Sequence, residues 1–117
     1  MRWFKDLYLG ESILDQKEEV INKIKNGKFT LNKYVIALPR NDYDTLETYP
    51  AVILKEEWYK KSDTFIVGLA TGDDEAKEVM QFIISDCYDQ TGGVDVRKFI
   101  MDQMPILVEA KEEAQEG

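Results

Sequence analysis

Four aspartates in two turn-like stretches are the residues of this sequence best placed to do chemistry. Asp42 and Asp44 lie in "PRNDYD" beside Arg40 and Asn41, and Asp73 and Asp74 lie in "FIVGLATGDDEAKEV". Carboxylate oxygens are hard ligands, so four of them converging would suit an ion such as Mg²⁺. Arg40 and Asn41 could then hold an anionic substrate against it. Convergence has a condition. The apolar runs before the two stretches, Lys33–Pro39 and Asp63–Thr71, must be neighbouring parallel strands, because open α/β sheets bind ligands beyond the carboxyl ends of their strands. Aspartate is also common in turns and helix caps, and no spacing here is diagnostic of a metal. No cofactor is expected, and a Mg²⁺-type ion is the metal these residues could hold.

The "ATGDDEAKEV" junction reads as a strand entering a helix, a place that attracts anions through unpaired amides and a positive dipole end. Here Asp73, Asp74 and Glu75 already fill the first turn with negative charge. Thr71 and Asp74 stand three apart in the manner of a capping pair, and Asp73 can cap the following amides. An arriving phosphate would meet carboxylates, and neither GxxxxGK[ST] nor GxGxxG occurs. Other chemistries are excluded more simply. The chain has no histidine, which removes Ser-His and Cys-His pairs. Its single cysteine, Cys87, cannot form a disulfide or a thiolate cluster, and its place on an apolar helix face makes it a small core residue.

Binding surfaces offer a second line of reasoning. The net charge is −8, from 15 basic and 23 acidic residues, which disfavours nucleic acid. Yet residues 22–41 contain Lys23, Lys25, Lys28, Lys33 and Arg40 and no acid before Asp42. That basic edge is either plain solvated surface or a docking patch for an acidic partner or a second copy. Trp3, Phe4, Tyr8, Trp58, Tyr59 and Phe82 exceed what the inner faces of one small core need, and aromatics favour interfaces. Trp3, Phe4, Tyr8 and Phe82 are therefore the candidate contact residues, with Lys23, Lys25, Lys28 and Lys33 as the basic part.

The elements that must position these groups follow from periodicity. Ser12 to Asn26 reads as a helix, with Ser12 and Asp15 at its start, Ile13, Val20 and Ile24 inward, and Asn26-Gly27 at its end. Trp3, Phe4, Leu7 and Tyr8 have i, i+4 spacing and suggest a short helix before it, separate or continuous through Gly10. "KYVIALP" and "DTFIVGLAT" are β-branched, nearly continuous strands. Residues 46–61 admit helix or strand. The helix is preferred because it would return the chain for a right-handed βαβ crossover. Asp73 to about Gln90 is the clearest helix, with Ala76, Val79, Met80, Ile83, Ile84 and Cys87 on one face. Asp95 caps a short last helix.

The expectation is one small α/β domain over residues 1–108, in the order α-β-α-β-α-α with a short parallel sheet, and an acidic frayed tail over 109–117. Two strands make a thin sheet, which a homodimer extending it or covering its edge would remedy. The N-terminus lacks a signal-peptide pattern and the apolar runs are too short to span a bilayer, so the expected setting is cytoplasmic, without membrane contact. Three stretches, "LYLGESILDQKEEVINKIKNGK", "YVIALPRNDYDTLETYPAVIL" and "FIVGLATGDDEAKEVMQFIISDCYDQTGGVDVRKFI", together resemble a set of small uncharacterised proteins of clostridial-type Gram-positive bacteria. The resemblance implies a bacterial cytoplasmic protein and one α/β unit, and supplies no activity. The function expected is a non-enzymatic interaction or regulatory protein, homodimeric. The alternative is a metal-dependent enzyme or anionic-ligand binder at the aspartates.

Overall fold

The aromatic N-terminal segment is a strand. A spacing of four is even, so i, i+4 residues share a face in a strand as they do in a helix, and Trp, Phe and Tyr favour the pleated surface. In the structure, a computed structural model describing residues 1–39, 45–56 and 64–104, β1 spans Arg2–Leu9. Trp3 and Leu9 join one core; Phe4 and Tyr8 join the other. A 3-10 turn, Glu11–Ile13, leads to helix α1, Lys17–Lys25. Strands β2, Lys33–Leu38, and β3, Glu47–Pro50, follow. A second 3-10 turn, Ala51–Lys55, precedes β4, Phe65–Thr71. Helices α2, Gly72–Thr91, and α3, Val96–Met101, complete the described chain. The expected acidic tail, 109–117, lies outside the described residues.

The sheet is mixed and four-stranded, in the order β1-β4-β2-β3. β1 runs parallel to β4, whereas β2 is antiparallel to both β4 and β3. This corrects the expected parallel βαβ pair. The strands that hold Val35–Leu38 and Phe65–Leu69 are neighbours but point in opposite directions, with Lys33 opposite Thr71 and Leu38 opposite Phe65. The cause lies in residues 46–61, where β3 folds straight back onto β2 and adds a chain reversal that a single return helix would not make. The sheet is also no longer thin, so the need for a second copy to widen it lapses.

Two apolar layers sandwich this sheet. α1 and both 3-10 turns cover one face through Ile13, Val20, Ile21, Ile24, Ala51 and Leu54, against Val35, Ile66 and Leu69. α2 and α3 cover the other through Ala76, Val79, Ile83, Cys87, Val96, Phe99 and Ile100, against Ile36, Leu38, Phe65 and Val67. Leu14 is 59% exposed, in the turn between the 3-10 segment and α1. The helix ends behave as their residues require. Gly27 takes φ 65 and Lys28 N–H closes onto Lys23 carbonyl at 2.8 Å, a Schellman ending. Asp95 accepts from Lys98 N–H at 3.2 Å.

One position fixes the seating of α2. At Gly68, a Cβ would lie 2.9 Å from the Tyr8 carbonyl oxygen and 3.2 Å from Val79 Cγ1. The ladder is irregular around it. β4 slips against β2 between Ile36 and Ala37, and β1 departs from β4 between Trp3 and Tyr8. A glycine inside a strand marks this kind of close approach. At the exposed bulge of β1, Lys5 and Asp6 form an ion pair at 2.6 Å. Among the described residues no helix is long and apolar enough to cross a membrane.

Candidate functional site

The β4–α2 junction carries its own anion, and Glu75 supplies it. Gly72 takes φ 80, open to glycine and strained for other residues, and its N–H donates to the Asn32 carbonyl at 2.8 Å. One turn on, the Glu75 carboxylate accepts from Thr71 N–H at 2.8 Å and from the Ser12 hydroxyl at 2.7 Å, with Ser12 N–H at 3.4 Å. Burial works to raise the Glu75 pKa, but these hydrogen bonds and the nearby Lys33 ammonium outweigh it and hold the carboxyl below its ordinary value. Neither expected capping residue does this work. Thr71 makes no side-chain cap, and Asp73 turns along the helix to pair with Lys77 at 3.0 Å. Asp74 is exposed.

The antiparallel pairing removes the geometric ground for gathering four aspartates. β2 leads toward residues 40–44 from the end of the sheet where Leu38 faces Phe65, and Asp73 follows the far end of β4. Those ends are separated by six residues of strand, about 20 Å. Arg40, Asn41, Asp42 and Asp44 themselves lie outside the described residues. Among the described residues, no group of three or more His, Cys, Asp or Glu could hold a metal ion.

The aromatic and basic candidates partly converge. Trp3 sits beneath Lys25, whose Nζ lies 5.6 Å from the ring centroid, a cation–π distance. The two line a groove of about 210 Å³ between β1 and α1, together with Lys5, Lys17, Glu18 and Ile21. Lys23 and Lys33 line a different cavity, and Lys28 is exposed on the loop after α1. Phe4 is not a surface residue. It is 2% exposed and stacks on Tyr8 with centroids 6.2 Å apart.

Tyr8 stands on the opposite face of β1 from Trp3. Its hydroxyl donates to Asp86 at 2.5 Å, and Asp86 also accepts from Gln90 at 2.8 Å. Burial first, then the Asp86 hydrogen bond and charge, push the Tyr8 phenol far above its ordinary pKa. Phe82, 62% exposed, meets the Tyr8 ring edge-on at 5.9 Å. Cys87 is fully buried, as its helical position implied.

Lys5, Lys17 and Asp86 take part in these arrangements and carry no signal in the sequence reading, while Ser12 and Glu75 were read only as a helix start and a first-turn acid. Lys17 and Lys25 lie eight apart, about 80° from each other around a helix, so their spacing links them only loosely. Nothing local links Ser12 to Glu75 or Tyr8 to Asp86, which are 63 and 78 residues apart. Charge divides across the sheet. α2 holds six carboxylates against Lys77 alone, while residues 17–28 hold four lysines against two glutamates. No protein-family model, curated protein or solved structure matches this chain.

Proposed function

We propose that this protein acts by binding protein rather than by catalysis, as a cytoplasmic interaction or regulatory module that also pairs with a second copy. The observation that carries the reading is the Trp3–Lys25 groove, where an indole lies among Lys5, Lys17 and Lys25 in a chain of net charge −8. An aromatic floor with a cationic rim suits an acidic segment bearing an apolar or aromatic side chain. The prominent carboxylates on the other side are engaged in structural bonds. Glu75 caps α2, Asp86 holds Tyr8, and Asp73 pairs with Lys77. Phe82, standing out beside Tyr8, is the residue on which a second copy would close.

Trp3 fluorescence tests the groove in a Trp58→Phe background, where Trp3 is the sole tryptophan. A glutamate-rich peptide containing one phenylalanine should change its emission saturably. Lys17→Glu with Lys25→Glu should abolish the change, and added salt should weaken it. Equal titrations with and without the charge reversals would remove the reading. Light scattering tests the pairing: a dimer is expected, converted to monomer by Phe82→Asp, and a monomeric parent protein would remove the homodimer.

A further inference from the structure

The other flank of α1 holds a second cavity of about 210 Å³, facing the loop that enters β2. Glu19, Val20 and Lys23 contribute from the helix, and Thr30, Leu31 and Lys33 from the loop and strand. Thr30 is only 5% exposed, and its Oγ1 has no hydrogen-bond partner among the described residues. An orphaned buried hydroxyl is costly and uncommon, and it leaves a donor ready for a water, an ion or a ligand group.

The cavity has hydrogen-bond donors to spare. Lys23 pairs with Glu19 at 3.2 Å, and Lys33 reaches Thr71 Oγ1 at 3.2 Å. An ammonium has three donors, so each lysine keeps two. Glu19 balances Lys23 and Glu75 lies near Lys33, so what the two ammoniums offer a carboxylate is their remaining donors rather than surplus charge. Val20 is 2% exposed and Leu31 is 74% exposed, so one wall is apolar and one of its side chains awaits cover. The loop is held in place: Asn32 takes φ 55, and its carbonyl accepts from Gly72 N–H.

We propose that this cavity binds a small monocarboxylate, its head between Lys23 and Lys33 where the Thr30 hydroxyl turns to it, and its short apolar chain along Val20 and Leu31. The proposal stands apart from the Trp3 groove, with which the cavity shares no residue.

Calorimetric titration with sodium butyrate tests it, alongside acetate, phosphate and sodium chloride at matched ionic strength. Butyrate should bind saturably, and acetate more weakly because it lacks the chain. Lys33→Met and Thr30→Val should each weaken butyrate by about tenfold or more, the worth of a hydrogen bond to a charged group. Thr30→Val keeps the side-chain shape and removes an unpaired hydroxyl, so the variant should melt no lower than the parent protein. A loss of binding there is then a loss of the ligand's partner. Absence of saturable butyrate binding, a response to phosphate in its place, or equal binding by parent and both variants would each overturn the proposal.

Discussion

Replacing Glu75 by glutamine tests whether the β4–α2 junction is tied to the first 3-10 turn as its geometry requires. The wild-type carboxylate accepts hydrogen bonds from Thr71 N–H at 2.8 Å and the Ser12 hydroxyl at 2.7 Å. Glutamine keeps the length, and its carbonyl can still accept from Thr71. It loses the charge that strengthens both bonds to that one oxygen, and its Nε2 stands where the second oxygen accepts from Ser12 N–H at 3.4 Å. Hydrogen bonds to charged groups contribute about 1.5–3 kcal/mol, and this group is partly exposed, so the expected loss is about 1–2 kcal/mol at neutral pH. For a domain of this size that is a fall in Tm of about 4–8 °C. Urea denaturation followed by circular dichroism measures it, and a cycle with Ser12→Ala isolates the Ser12 share. The pH dependence has a definite sign. The folded pKa of Glu75 lies below its ordinary 4.5, so its stabilisation is complete above that value and disappears as pH falls through the folded pKa. The gap between wild type and Glu75→Gln should therefore close in acid. Equal stability at neutral pH, or a gap unchanged well below pH 4.5, would refute the reasoning.

Four further outcomes are expected. Gly68→Ala should cost about 1–3 kcal/mol by urea midpoint, because its Cβ must displace Val79 or the Tyr8 carbonyl. Tyr8→Phe should cost about 1 kcal/mol, since Asp86 keeps only Gln90. The raised pKa of Tyr8 means that the fold favours the neutral phenol. That stabilisation is full below 10.0 and is lost as pH rises through the higher folded value, so a tyrosinate absorbance titration should show one phenol ionising late, with alkaline unfolding. Gly72→Ala should cost about 1 kcal/mol by thermal melting, because φ 80 is strained for a side chain.

Elements whose signals are local were readable. Met80, Ile83, Ile84 and Cys87 announce α2, Asn26-Gly27 its predecessor's end, and Asp95 the last cap. Where a pattern served two structures, the reading went astray. Phe4 and Tyr8 satisfy both a helical and a strand period, and residues 46–61 hold a strand and a 3-10 turn too short for either period to show. Strand direction depended on that segment, and with it the proximity of the aspartates. Thr71–Asp74 matched a capping pair in sequence, and Thr71 does stand at the N-cap, but its side chain makes no cap bond and Glu75, not Asp74, accepts from its N–H. The meeting of Trp3 with Lys25 was out of reach because it depends on which face of the sheet α1 covers.

The two margins of the sheet share a consequence. At one, β1 bows out of the ladder between Trp3 and Tyr8 and carries the Lys5–Asp6 pair on the bow. At the other, β3 is four residues long and stops at Pro50. A kinked, charged strand and a proline both make poor templates for an incoming chain. Both borders of the sheet, as the described residues form it, therefore disfavour stacking strand upon strand into a fibre.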